Sequence, residues 1–106
     1  MQTLNLTYAA AHGAVTRAHV GVVGSGDLEI LFEPAADQTA SVRVRTTVDG
    51  FDTVWRRVLE AFFTQHPVAG RYELNDFGAT PGVVGLRLLQ VLDAAATPAP
   101  NGGGDE

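Results

Sequence analysis

Cysteine and lysine are both absent from these 106 residues. Without cysteine there is no disulfide and no protein thiol to serve as nucleophile, metal ligand or acyl carrier. All seven basic residues are arginine, so no side-chain amine is available for a Schiff base or for the cation of a phosphate-binding P-loop. Any reactive thiol in this protein's chemistry is therefore imported. No basic-then-apolar leader and no long apolar run opens the chain, which leaves a cytoplasmic protein as the expectation. A formal net charge of -5 without a basic stripe excludes a non-specific nucleic-acid binder, because phosphate neutralisation needs a surplus of cations on one face. His12, His19 and His66 are scattered without a close-spaced pair, so they form no metal set.

What is present is a run of alternating segments. Leu4, Leu6 and Tyr8 alternate with Asn5 and Thr7, predicting a first strand near residues 2 to 9. Val15 to Val23 predicts a second strand ending at Gly24, and Leu28, Ile30 and Phe32 a third, stopped by Pro34. Val42, Val44, Thr46 and Val48 alternate with Arg43, Arg45 and Thr47, a fourth strand with one apolar and one basic face. The period changes after Asp49-Gly50. Val54, Trp55, Val58, Leu59 and Phe62 recur at helical spacing, with Asp52 as the expected N-cap and Pro67 as the stop. Tyr72 and Leu74 mark a short fifth strand. Thr80 then caps a helix with Pro81 at its first position, striped by Val84, Leu88, Val91 and Leu92 to about Asp93.

The expected architecture is α+β: a mainly antiparallel sheet of about five strands with two helices packed on one face. Residues 1–95 form the domain, large enough to bury somewhat over ~60% of its unfolded surface. Residues 96–106, rich in proline and glycine and poor in apolar side chains, are expected to form a disordered tail.

Two stretches stand out from this pattern. Gly24-Ser25-Gly26-Asp27 joins two strands at a corner whose flanking glycines permit positive φ and clear the space around one hydroxyl. It is not a P-loop, since Asp-Leu-Glu follows, and not a dinucleotide fingerprint, since a strand follows where a helix is required. A nucleophile elbow wants its glycines two residues away and a helix after the serine, which weakens but leaves open a hydrolase using Ser25 with a histidine and Asp76. An adaptor whose Gly-Ser-Gly is only a turn also remains open. The second stretch is Asp76-Phe77-Gly78-Ala79-Thr80-Pro81-Gly82-Val83-Val84, a capped helix start of the kind that either simply caps its helix or binds an anion through free N–H groups.

With these two motifs about fifty residues apart, the chain resembles the acyl carrier (delta) subunit of malonate decarboxylase over residues 2 to 93. The resemblance implies that Ser25, flanked by Gly24 and Gly26, carries a covalent 2'-(5''-phosphoribosyl)-3'-dephospho-coenzyme A group, a phosphopantetheine-like arm whose thiol holds acetyl and malonyl in turn. It implies a carrier without catalytic residues. Its implied partners are an acyltransferase (alpha) subunit, decarboxylase (beta and gamma) subunits, a holo-carrier synthase and a malonyl transferase, with no nucleic acid or membrane. Ordinary acyl carrier proteins place Asp-Ser-Leu at a helix start, whereas Ser25-Gly26-Asp27-Leu28 lies between expected strands. The citrate lyase acyl carrier subunit is a related possibility, and the Asp76 to Val84 stretch favours malonate. The same resemblance suggests that the Thr80-Pro81-Gly82 helix start lies near Ser25 and donates N–H groups to phosphates. Arg43 and Arg45 are a further candidate surface, for partner carboxylates or those same phosphates.

Overall fold

Period-two patterning sends Leu4, Val44, Leu74, Ile30 and Val20 to one side of five strands, and this row crosses the whole sheet in register. The computed structural model describes residues 1–96; the expected tail lies, from residue 97 onward, outside the described residues. The strands are β1 (Gln2–Ala9), β2 (Ala18–Gly21), β3 (Leu28–Glu33), β4 (Thr39–Thr46) and β5 (Gly70–Asp76), with helix α1 (Asp52–Gln65) between β4 and β5 and helix α2 (Pro81–Ala95) after β5. Their spatial order is β1-β4-β5-β3-β2. Every neighbouring pair is antiparallel except β4 and β5. That parallel pair requires a crossover, and α1 supplies it.

Both helices cover the face on which Leu4, Ile30, Phe32, Val42, Val44, Tyr72 and Leu74 are buried. From α1 come Trp55, Leu59, Phe62 and Phe63, and from α2 Val84, Leu88, Val91 and Ala95. Phe62, Phe63, Tyr72 and Tyr8 meet ring to ring, with centroids about 5 Å apart, the offset and edge contacts that aromatic quadrupoles favour. The other face carries Arg43, Arg45, Arg71 and Glu33 into solvent, with Glu73 half-buried among them.

Several expected boundaries move, each for a local reason. The second strand is only four residues long. Val15 and Thr16 donate their N–H groups to the Ala95 carbonyl (2.9 and 3.1 Å) at the end of α2 instead of joining the sheet. At the other end Gly21 has φ +81°, where a Cβ would collide with the Leu28 carbonyl, so the chain leaves the ladder before Val22. The fourth strand stops at Thr46, because the Thr46 hydroxyl accepts the Val48 N–H (3.0 Å) and turns the chain. The fifth is longer than expected, paired with β4 along its whole length and with β3 from Arg71 to Asp76. Asp52 is not the N-cap of α1. The Phe51 carbonyl already accepts the Trp55 N–H (2.9 Å), so Phe51 caps without a side-chain bond and Asp52 is the first helical residue, placing a carboxylate at the positive end of the dipole. Thr80 caps α2 as expected, its Oγ1 accepting the Val83 N–H at 3.3 Å.

Candidate functional site

The corner between β2 and β3 is a six-residue loop, Val22–Asp27, tied down at its end. The Asp27 N–H donates to the Gly24 carbonyl (3.1 Å), and Gly26 takes φ +78°, the positive value a type II turn demands at its third residue. The Gly26 N–H donates to the Phe77 carbonyl (2.8 Å) and the Phe77 N–H to the Asp27 carbonyl (2.9 Å). These two bonds extend the β3–β5 ladder past its last registered pair, Leu28 with Asp76. Ser25 therefore sits at the tip of a turn whose base belongs to the sheet. It is exposed, and among the described residues its hydroxyl has no hydrogen-bond partner. A Cβ placed on Gly26 would meet no atom within 4 Å, so the space beside the hydroxyl is open to a bulky group.

Behind the corner the second motif forms its support. Asp76 is buried at the end of β5, where its Oδ2 accepts from the Thr46 hydroxyl (2.7 Å) and the Gly78 N–H (3.2 Å) and its Oδ1 from the Ala79 N–H (2.9 Å). These bonds hold Gly78 at φ +97° against Gly26, whose N would lie 3.9 Å from any Cβ on Gly78. Two turns into α2, Arg87 reaches back to Asp27 through a two-pronged contact, Nε to Oδ1 at 3.1 Å and Nη2 to Oδ2 at 2.6 Å. Such a fork fixes orientation as well as position. The two stretches distant in sequence are thus one structure at one end of the domain.

The guanidinium of Arg87, and after it the Leu28 N–H, hold the Asp27 carboxyl below the usual carboxylate range, while Asp27 pushes Arg87 up. Because the folded value is depressed, the pair's stabilisation is complete above the ordinary aspartate range and disappears as pH falls through the depressed value. Arg87→Met is therefore expected to return the Asp27 titration, followed by carbon-detected NMR, toward its ordinary value. The stability gap between variant and parent should be widest near neutral pH and close under acid.

Sequence reasoning missed Arg87. The available signal is that α2 carries only two charged residues, Arg87 and Asp93, and a cation between Leu86 and Leu88 on an apolar helix asks for a partner. Gly78, three residues before α2, packs on Gly26, which puts the α2 start at the corner's end of the domain, but the supply of donors is small. Pro81 has no N–H, the Val83 N–H is taken by Thr80 Oγ1 and the Val84 N–H by the Thr80 carbonyl. Thr80 is foremost a structural cap.

No catalytic set assembles around Ser25 among the described residues. His19 bonds Glu29 (2.9 Å) on the open face, His66 packs on Phe62 at the end of α1, and His12 bridges to Val68. Asp76, the other member of a hypothetical triad, has its oxygens occupied by the corner's own support. A hydroxyl with no base to take its proton is a weak nucleophile. Fold and site together define a presenting domain: an α+β support that holds one serine hydroxyl out into solvent. Comparison with known proteins specifies which. The family model described as "Malonate decarboxylase delta subunit (MdcD)" matches residues 15–95, and the chain belongs to that acyl carrier family. It is 45% identical over 100 residues to the malonate decarboxylase acyl carrier protein of Burkholderia cepacia, covering 92% of this chain and 93% of the relative. The relative from Stutzerimonas stutzeri is 47% identical over 94 residues, 88% of this chain and 95% of the other. A chain in the crystal structure of a Pseudomonas malonate decarboxylase hetero-tetramer in complex with malonate superposes with a TM-score of 0.84 at 44% identity, over 90% of this chain and 99% of that one.

Proposed function

We propose that this chain carries acetyl and malonyl groups for malonate decarboxylase on a prosthetic group joined to Ser25 by a phosphodiester. Membership of the family makes it an acyl carrier, a subunit of a multi-subunit decarboxylase and not its catalytic part. The observation that carries the attachment site is the Ser25 hydroxyl itself: exposed, free of hydrogen bonds and of any neighbouring base, and held out by a turn clamped through Phe77 and Arg87. The sequence has one other serine, Ser41, and that residue lies inside β4 paired to Thr7 and Arg71 on either side, where the flat ladder offers no projecting tip.

The residues present suit a group of the 2'-(5''-phosphoribosyl)-3'-dephospho-coenzyme A type. Gly24 and Gly26 leave its approach unobstructed, and the chain has no thiol or lysine amine of its own to compete for acyl groups. Such a group, when bound, supplies the thiol on which acetyl is exchanged for malonyl before loss of CO2. The protein's part is to bind and orient. Asp27 and Arg87 fix the direction of the tether, and Gly26 gives it room. The enzymes that act on it in this reading are an acyltransferase, two decarboxylase subunits, a malonyl transferase and a holo-carrier synthase, in the cytoplasm; among the described residues no helix is long and apolar enough to cross a membrane.

Mass analysis of the chain purified from its native host tests this reading. Arginine-specific cleavage leaves residues 18–43 as one peptide containing both serines, so fragmentation must assign the added mass. Mass on Ser25 supports the reading, whereas mass on Ser41 or a threonine, or none, removes it. The purified carrier alone should neither decarboxylate malonate nor hydrolyse activated esters.

The open sheet face offers a docking surface in the same reading. Arg43 makes one long bond to Asn5 (3.4 Å), and Arg45 has no partner among the described residues, while Arg71 and Glu33 are paired with each other (2.8 Å). Two guanidinium groups on one strand without a carboxylate partner among the described residues suit partner carboxylates. Replacing both with glutamate should weaken assembly of the complex about tenfold or more, since like charges then meet across the contact, and leave the fold intact by circular dichroism. Unchanged assembly would assign both to solvent.

A further inference from the structure

Between the first turns of α1 and the start of α2 lies a cavity of about 480 Å³, walled by Val48, Phe51, Val54, Trp55 and Val84 and floored by Asp76. Its rim is unpartnered apolar surface, with Phe51 49%, Val48 37% and Val54 37% exposed. Gly78 lines it too, and Gly78 is the residue against which Gly26 packs. The mouth of the cavity is therefore one residue contact away from the neighbour of Ser25. No arginine lines it. Its single ionisable side chain, Asp76, has both oxygens engaged by Thr46, Gly78 and Ala79.

We propose that this cavity is the resting place of the arm on Ser25 when its thiol carries acetyl, and that it rejects the arm when the thiol carries malonyl. The inference rests on Ser25 being the attachment point. An arm long enough to visit other subunits is long enough to fold back over Gly78. An acetyl thioester is uncharged and mostly apolar, so burying it against Val54, Trp55 and Val84 removes apolar surface from water at no ionic cost. A malonyl thioester ends in a carboxylate. Entering the same cavity strips that charge of water, meets no cation and brings it toward the Asp76 carboxylate, each of which opposes entry. Exchange of acetyl for malonyl thus turns the arm outward when decarboxylation is due, and the acetyl form withdraws from water, whose attack on the thioester carbonyl would release acetate and leave the bare thiol.

Trp55, the chain's single tryptophan, lines the cavity with 6% of its surface exposed, and its emission reports on what fills that remaining contact with water. The full holo chain, checked by intact mass for the group on Ser25, is loaded by thiol exchange with the N-acetylcysteamine thioester of acetate or of malonate. The acetyl form should show blue-shifted Trp55 emission and reduced acrylamide quenching relative to the free thiol, and the malonyl form neither. An arm sheltered nine-tenths of the time should have its acetyl thioester hydrolysed about tenfold more slowly than the free N-acetylcysteamine thioester. Val54→Phe fills the mouth and should abolish both effects. Val54→Arg, also at an exposed rim position, should admit the malonyl form and bring its Trp55 signal to that of the acetyl form. Added mass on Ser25 with a Trp55 signal identical in all three states overturns the inference alone, as does equal protection of both acyl forms. Shielding of Trp55 in the unmodified chain on addition of the decarboxylase subunits assigns the cavity to the subunit interface and overturns it as well. Absence of added mass overturns the carrier reading itself.

Discussion

Ser25→Ala is expected to abolish prosthetic-group attachment and, with it, all malonate decarboxylation by the reconstituted complex, while changing the domain's stability by less than about 0.5 kcal/mol. Both halves follow from the geometry. The hydroxyl is exposed and bonded to nothing among the described residues, so its removal forfeits no buried area and no hydrogen bond. The turn is held by the Gly26 and Asp27 backbone bonds to Phe77 and by the Asp27–Arg87 fork, and none of these involves the serine side chain. Alanine offers no oxygen for a phosphodiester, and with no cysteine in the chain no other thiol can replace the lost tether. Urea unfolding and intact mass of the same preparation check the two halves together. Residual turnover by the alanine variant would break the link between Ser25 and function.

Asp76→Leu is expected to do the reverse, damaging the fold first and the function through it. Asp76 is 3% exposed and satisfies the Thr46 hydroxyl and the Gly78 and Ala79 N–H groups. A leucine removes the acceptor shared by all three donors and leaves the Thr46 hydroxyl only its longer bond to the Val48 carbonyl (3.3 Å), at a cost of about 3 kcal/mol, which for a domain of this size lowers the midpoint of thermal unfolding by more than about 12 °C. Asp76→Asn keeps one acceptor oxygen for Ala79 and should cost about half as much. Because these bonds hold Gly78 behind Gly26, the corner loosens, and Ser25 attachment should decline in the asparagine variant even at temperatures where it remains folded. Thermal melts by circular dichroism and attachment rates at 20 °C below each midpoint separate the two effects. An asparagine variant with unaltered attachment would show that the support behind the corner is dispensable for presentation.

The elements themselves were legible because each depends on a period that neighbouring residues carry. Leu28, Ile30 and Phe32 alternate, and Trp55, Leu59 and Phe62 recur on one helical face, whatever the rest of the chain does. The α+β class, the one covered face and the cap at Thr80 all follow from such local patterns. So does the exclusion of thiol and lysine chemistry, which is a matter of composition alone. Gly24-Ser25-Gly26 likewise announces an unobstructed hydroxyl through the two residues that flank it.

Boundaries and supports were not legible, since they depend on residues remote along the chain. Val15 and Thr16 look like strand and are claimed by the end of α2 at Ala95, and Val22 continues the alternation of Ala18 and Val20 yet loses its ladder to the positive φ of Gly21. Asp27 is by sequence a turn residue, and only the folding of α2 across β2 and β3 brings it Arg87, sixty positions later. Asp76, Thr46 and Gly78 become a brace for Ser25 because the parallel β4–β5 pair and the antiparallel β3–β5 pair meet at the same end of the strands, Asp76 facing both Thr46 and Leu28. Local periodicity and composition suffice to say that a bare hydroxyl is offered on a small α+β domain without thiols; how rigidly it is held, and beside which cavity, follows from packing between segments whose separation in sequence carries no information about their distance in space.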